Sequence, residues 1–364
     1  MTEPQSRLVV LHVLGELRPS GMERMLVSAQ QEFSGLGIDG IVLGQGIDHP
    51  YGGALRDAGY KTLTSRNSMA SRYLAMRRAV VEDGATVIHI HTEGQYLPTA
   101  IAARLALRGN GGVVRTIHNV FSASGRWLIS RRLQARIADL LMLEVIVPSV
   151  DVEQNENSLR RKTRVIFNWV DERFFALRDE RNAQFARSDG PPTALIVGNC
   201  SPVKNHELAI GAARRAGHLL IHVGDESHAT EAEKALLSEM ARDGTLTGRG
   251  VRSPDDSLLQ ADYFAMPSRN EGMPVALAEA LVVGLPVLIS NAPGLRWASH
   301  LDGVTALEID EASWDLSLSD WSLLARNPNQ VKIDFSPARG AAAYAEIYKS
   351  GKPRRRRQPR GAQA

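Results

Sequence analysis

The stretch PSRNEGMPVALAEALVVGL, residues 267–285, carries two carboxylates, Glu271 and Glu279, on either side of what reads as a loop running into a helix. The run VALAEALVV is apolar and helix-forming. Pro274 suits a first helical turn, where its missing N–H leaves no bond unmade, and Gly284 followed by Pro286 stops the helix. The spacing predicts a helix start near Gly272. Free backbone N–H groups at such a start, beside a glycine that permits close approach, form a ready site for a phosphate or a sugar hydroxyl. Glu279 falls about two turns on, so Glu271 meets a ligand from the loop end and Glu279 meets another part of it from the helix face.

Outward from this stretch, apolar runs alternate with helical ones. LVVLHVL, MERMLVSAQQEF, GIVLG, SRYLAMRRAVVED, ATVIHIH, LPTAIAARLAL, VVRTIHNV, the helix after Arg126, EVIVPS and TRVIFNWVD take turns through the first half. The alternation restarts after a polar, charged segment with TALIVGN, a helix from Lys204 to Ala216, HLLIHVGD, a helix near Glu231 to Ala241, GTLTGR, YFAMPS and PVLIS. Strand and helix in turn predict parallel sheets covered by helices on both faces. The length of 364 residues fits two such units. The expected division is a first Rossmann-like domain over 1–175, a linker over 176–192, a second over 193–335, a helix over 336–350 and a basic disordered tail over 351–364.

Hydrophobic residues make up 43% of the chain, enough for two cores, and Cys200 as the single cysteine excludes an internal disulfide and a cysteine-rich zinc site. The N-terminal apolar run Leu8 to Leu14 is far below membrane-spanning length and reads as a first strand. A soluble cytoplasmic protein is the expectation. Net charge is +3 and the sequence pI about 9.1, yet the basic tail PRRRRQPR has no interleaved aromatics, and no nucleic-acid recognition motif accompanies it. In GRWLISRRLQARIADLLMLEV, four arginines interleave with Trp127, Leu128, Ile129, Leu133 and Ile137 in an amphipathic pattern. Most such helices pack on a sheet. With a lipid acceptor, this face is the place for peripheral contact with the inner face of the membrane.

Ligands of doubly wound sheets bind beyond the carboxyl ends of the strands, and motifs stand there. GELRPSGMERM follows the first strand, with Gly21 able to bring backbone N–H groups close to a diphosphate and Glu23 in the first helical turn. GNCSPVKNH follows the first strand of the second half. Its Lys204 opens a helix, where a positive charge is mildly unfavourable beside the dipole and so favours an anionic ligand. His89 and His91 lie on one side of a strand, followed by Glu93. No third and fourth ligand of suitable spacing follows them, so no metal site is expected.

Glu271 and Glu279 together resemble the E-x7-E element of the retaining GT-B glycosyltransferases of family 4, and Ala261 to Arg269 resembles the buried strand ending in Pro-Ser that precedes it there. The Gly21 loop resembles the family's Gly-Gly-x-Glu, with Ser20 in place of the first glycine. Gly198 to His206 resembles the segment that sets an arginine and a lysine on the donor diphosphate. Lys204 matches the lysine, whereas Asn199 stands where the arginine is expected and offers hydrogen bonds without charge. Arg269 or another cation would then substitute. His118 resembles the histidine that reaches the sugar, Val223 to Glu226 and Leu246 to Arg249 resemble turns beside the nucleotide, and Phe335 to Lys349 resembles the helix that crosses back to the first domain.

The resemblance implies a GT-B α/β fold, two doubly wound Rossmann-like domains facing a cleft, the first for the acceptor and the second for a nucleotide sugar, UDP-linked as the first choice over GDP. It implies transfer to an acceptor hydroxyl with retention of configuration, in polysaccharide, glycolipid or natural-product biosynthesis. The implied catalytic residues are His118, Lys204 and Glu271. Gly21, Asn199, Lys204, Arg269, Gly272, Met273 and Glu279 would bind the donor. No cofactor and no metal are implied, and the acceptor would be a carbohydrate, a lipid-linked sugar or a small molecule. Two alternatives share this architecture: a nucleotide-sugar epimerase, and a catalytically silent carbohydrate- or partner-binding protein, for which Asn199 and Ser20 speak.

Overall fold

The computed structural model describes residues 7–121, 125–184, 190–320 and 333–351. Within them the first half forms a parallel sheet of β1 (Leu8–Val13), β2 (Ile38–Gln45), β3 (Lys61–Ser65), β4 (Val87–Ile90), β5 (Gly112–Thr116), β6 (Glu144–Val147) and β7 (Arg164–Val165), in the order β3-β2-β1-β4-β5-β6-β7. The second half forms another of β8 (Thr193–Val197), β9 (Leu219–Val223), β10 (Leu246–Gly250), β11 (Tyr263–Met266), β12 (Val287–Ser290) and β13 (Val304–Leu307), in the order β10-β9-β8-β11-β12-β13. Central strands are buried on both faces, which is why β1 and β11 read as continuous apolar runs. The strand order reverses at β1/β4 and at β8/β11. Those switch points are where the loops after β1, β8 and β11 open a crevice.

The edge strands β3 and β13 escape the sequence pattern. KTLTS and VTAL are short and partly exposed, so no apolar run marks them. The helix of the decisive stretch begins at Val275, not near Gly272. Pro274 caps it in an extended conformation with ψ 127°, and a proline keeps the residue before it out of the helical region.

The polar segment predicted as a linker is helical over Arg173–Gln184. Within it Arg181 is buried, and its Nη1 donates to the carbonyls of Leu258, Leu259 and Ala261 at 3.2, 3.3 and 2.8 Å. The final helix, Pro337–Ser350, packs on the helix Gly21–Gly35 of the first half. Tyr344 hydroxyl lies 3.1 Å from Thr116 Oγ1 and Tyr348 hydroxyl 2.7 Å from His89 Nδ1. Gly340 is required there, since a Cβ would run into the Trp169 indole, whose Nε1 donates to the Met25 carbonyl at 3.0 Å. The basic tail lies outside the described residues beyond Gly351. No helix among the described residues is long and apolar enough to cross a membrane.

Candidate active site

Between the carboxyl ends of the two sheets lies a cavity of about 350 Å³. Gly21, His118, Asn199, Lys204, Glu271, Gly272 and Met273, all singled out from sequence, line it. Ser20 and Gly21 present the start of the Gly21–Gly35 helix, and Val275 and Ala276 present the start of the Val275–Val283 helix. Ser20 caps its helix by accepting from Met22 N at 3.3 Å. A glycine at this position would lose that cap, which gives the departure from Gly-Gly-x-Glu a structural reason.

Lys204 Nζ donates to Glu271 Oε1 at 2.7 Å. Lys204 lies just before the helix His206–Arg215, whose cap Asn205 is held in the left-handed region at φ 55°. Arg269 does not line the cavity. Its Nη2 donates to Asn205 Oδ1 at 2.8 Å and so braces that turn. Asn199 is also engaged, since its Oδ1 accepts from Asp225 N at 3.0 Å.

Glu279 lines an adjoining cavity of about 130 Å³ that shares Arg24, Met25 and Val275 with the first. It is buried, with Arg24 Nη1 3.6 Å from Oε1 and no hydrogen-bond partner for Oε2. Burial raises its carboxyl above the ordinary range, against the pull of Arg24 and Arg173. A carboxylate so placed is short of hydrogen-bond donors, which a pair of ligand hydroxyls would supply.

His118 ends β5. Its backbone N–H donates to Glu93 Oε1 at 2.6 Å, and its Nε2 lies 3.2 Å from His91 Nδ1, whose ring continues to His12 at 3.1 Å. Burial, then Arg115, lowers the His118 pKa to about 4, so the ring is neutral at pH 7. A neutral ring serves as hydrogen-bond donor or acceptor to a sugar hydroxyl, not as a cation. His12 gives the His89/His91 pair a third neighbour that sequence spacing did not reveal, because register across β1 and β4, not chain order, sets it opposite His89.

Across the cleft the halves touch at the Glu271–Met273 loop. Ser149 Oγ donates to the Gly272 carbonyl at 2.7 Å and Asn168 Nδ2 to the Met273 carbonyl at 2.7 Å. Gly272 sits so close to the His118 carbonyl that a Cβ would overlap it. Ser149, Asn168, Arg24 and Glu93 carry no local motif, and only the fold brings them here.

A further cavity of about 370 Å³ opens in the first half beside Glu93, Tyr96, Arg115, Trp127 and Arg131. Glu93 borders it while accepting from the backbone N–H of His118, which lines the cleft. The flanking helix, Gly125–Leu141, leaves Trp127, Ile129, Leu133, Ile137 and Leu140 exposed, the last at 85%.

Two facing parallel sheets, their switch points opening on one cleft and the last helix returning to the first half, define the GT-B class. The family model "Glycosyltransferase Family 4" matches residues 19–174, and "Glycosyl transferases group 1" matches residues 178–315. The chain belongs to the group 1 glycosyltransferase family. It is 27% identical over 266 residues to the candidate glycosyltransferase EpsF of Bacillus subtilis (strain 168), covering 65% of each chain. It is 26% identical over 240 residues to the UDP-Gal:alpha-D-GlcNAc-diphosphoundecaprenol alpha-1,3-galactosyltransferase of Escherichia coli, covering 61% of this chain and 62% of that one. The chain thus spans just under two thirds of the length of these relatives. In fold it is similar to Anabaena HepE, solved in complex with UDP-glucose, with a TM-score of 0.69, 18% identity and coverage of 94% of this chain and 95% of that one.

Proposed function

We propose that this protein transfers a glycosyl group from a nucleoside-diphosphate sugar to an acceptor hydroxyl with retention of configuration. The observation that carries the reading is the meeting of Lys204, Glu271, His118 and two helix starts in one cleft between the sheets. The bond from the anomeric carbon to the diphosphate breaks, the acceptor oxygen bonds to that carbon on the same face, and the departing phosphate oxygen takes the acceptor's proton. Negative charge then grows on the diphosphate. Preorganised donors aimed at it are the largest catalytic contribution, and here they are Lys204 and the first-turn N–H groups at Gly21 and Val275, with no metal in that role. Asn199 adds a neutral amide beside them.

Glu271 orients the sugar, His118 contacts a sugar or acceptor hydroxyl, and Glu279, behind Arg24, takes the ribose hydroxyls. UDP is the first choice of nucleotide, in line with the UDP-Gal and UDP-glucose named for the two proteins above. The acceptor approaches from the cavity beside Glu93 and Arg115. The exposed apolar stripe on the Gly125–Leu141 helix, set among arginines, supports a lipid-linked acceptor and peripheral contact at the cytoplasmic membrane face.

The test is a thermal-shift screen against UDP, GDP, ADP and their sugar conjugates, followed by acceptor-dependent release of the nucleoside diphosphate and NMR of the product anomer. A shift with one nucleotide that Glu279→Ala loses is expected. Donor conversion without acceptor would point to an epimerase. Binding without any turnover would point to a silent binding protein.

A further inference from the structure

Four side chains that do not line the cleft converge beside the donor loop. Cys200 lies in the loop after β8, His206 opens the next helix, His222 is on β9, and Glu233 sits in the first turn of the helix Glu231–Arg242. They are 1%, 2%, 0% and 0% exposed, respectively. Cys200 Sγ is 3.7 Å from His206 Nδ1 and 3.5 Å from His222 Nε2, and the two ring nitrogens are 3.4 Å apart. Glu233 Oε1 lies 3.8 Å from His206 Nδ1 and has no hydrogen-bond partner.

The nitrogen pair is too far apart for a good hydrogen bond, which spans about 2.7–3.2 Å. The separations among Cys200, His206 and His222 match one face of a coordination tetrahedron instead. With Zn–N of about 2.0–2.1 Å and Zn–S of about 2.3 Å, the edges are about 3.3–3.4 Å between nitrogens and about 3.5–3.6 Å between nitrogen and sulfur. His222 Nδ1 has no hydrogen-bond partner among the described residues, and the nearest carboxylate, Glu226 Oε1, stands 3.5 Å away with Arg249 on its other oxygen at 2.6 Å. Metal binding at Nε2 would leave the ring proton on Nδ1, where a small approach to Glu226 gives the carboxylate contact usual behind a metal-bound imidazole.

We propose that Cys200 Sγ, His206 Nδ1 and His222 Nε2 bind a zinc ion, with Glu233, which stands beside His206 only, swinging in as the fourth ligand. Binding replaces the thiol proton, which leaves to solvent, by a sulfur–zinc bond. The other buried trio, His12, His89 and His91, differs. There both His89 nitrogens are already bonded, to Tyr348 hydroxyl at 2.7 Å and Thr116 Oγ1 at 2.8 Å. The zinc ion is structural. It ties the loop that carries Asn199 and Lys204 to β9 and to two helix starts, and it takes no part in sugar transfer.

The experiment uses the full chain, stripped with a chelator and titrated with Zn²⁺ and with Co²⁺. One ion per chain, a rise in melting temperature with Zn²⁺, and the thiolate-to-cobalt charge-transfer band with tetrahedral cobalt absorption are expected. Cys200→Ser, checked for folding by circular dichroism, loses the charge-transfer band. Glu226→Gln, which neutralises the carboxylate nearest His222 Nδ1 and leaves the ligands, binds about 10–100-fold more weakly, and it serves if Cys200→Ser does not fold. No uptake by the native chain, a cobalt spectrum without the thiolate band, or uptake unchanged in folded Cys200→Ser overturns the proposal. UDP-induced shifts measured in parallel keep the outcomes apart, since lost metal binding with an intact UDP shift refutes the zinc site alone.

Discussion

Lys204 Nζ and Glu271 Oε1 stand 2.7 Å apart in the cleft, the lysine from the loop after β8 and the glutamate from the loop after β11. Without a donor each neutralises the other. A diphosphate arriving beside Lys204 competes for the ammonium and releases Glu271 to accept from sugar hydroxyls. Donor loading and the readiness of Glu271 are thereby coupled through one ion pair.

Lys204→Ala is expected to lower transfer by about 10²–10³ in kcat, the usual loss of one preorganised donor to a developing anion. Because the variant also leaves Glu271 unpaired, Lys204→Ala/Glu271→Gln loses less than the product of the single losses. Steady-state kinetics of the four proteins check this. Strict additivity would show that the pair is not coupled.

Glu279→Gln tests the buried carboxylate. It removes a charge whose burial is only partly offset by Arg24, so stability without ligand is expected to change little or rise. Nucleotide affinity falls by about 10–100-fold, as for a lost hydrogen bond to a charged group of about 1.5–3 kcal/mol. Calorimetric titration with UDP measures the affinity and a thermal melt the stability.

Gly272→Ala places a methyl group against the His118 carbonyl. The loop must shift away from Ser149 and Asn168, at a cost of about 1–3 kcal/mol for overpacking. A lower urea midpoint with weaker turnover is expected. Unchanged values would show that the loop yields freely.

Acid should destabilise the protein before its carboxylates protonate. Burial lowers His12 from 6.5 to about 3, and His118 from 6.5 to about 4. Below pH 6.5 the unfolded chain takes up these protons and the folded chain does not. Stability conferred by the neutral rings is full above 6.5 and falls as pH drops towards 4, by up to about 1.4 kcal/mol per pH unit per histidine. Urea midpoints measured across that window should decline, and His118→Asn should decline less steeply.

The Gly125–Leu141 helix predicts membrane contact that can be removed without touching the cleft. Trp127→Ser/Ile129→Ser/Leu133→Ser is expected to abolish co-sedimentation with anionic vesicles and to leave the UDP-induced thermal shift intact. Equal sedimentation of both proteins would count against a membrane role for this face.

Much of this was legible along the chain because it is local. Period and composition mark β1, β8, β11 and the helices after them, and Gly21, His118, Asn199, Lys204, Glu271, Gly272 and Met273 each stand between the end of a strand and the start of the next helix, Gly21 at that start itself. They indeed share one cavity. The burial of Arg181 among carbonyl acceptors was not legible from its charged segment. Arg269 was expected at the donor but turns to Asn205.

By itself the sequence determined two βα alternations, because hydrophobic period and turn residues act over a few neighbours, whereas the returning helix came only from resemblance to the family. Only the tertiary structure decided that Arg24 faces Glu279, that Glu93 supports His118, that Ser149 and Asn168 hold the Glu271–Met273 loop, and that Cys200 meets His206, His222 and Glu233. Those pairs depend on strand order and on how the two sheets meet, and no period along a single chain encodes a distance across a cleft.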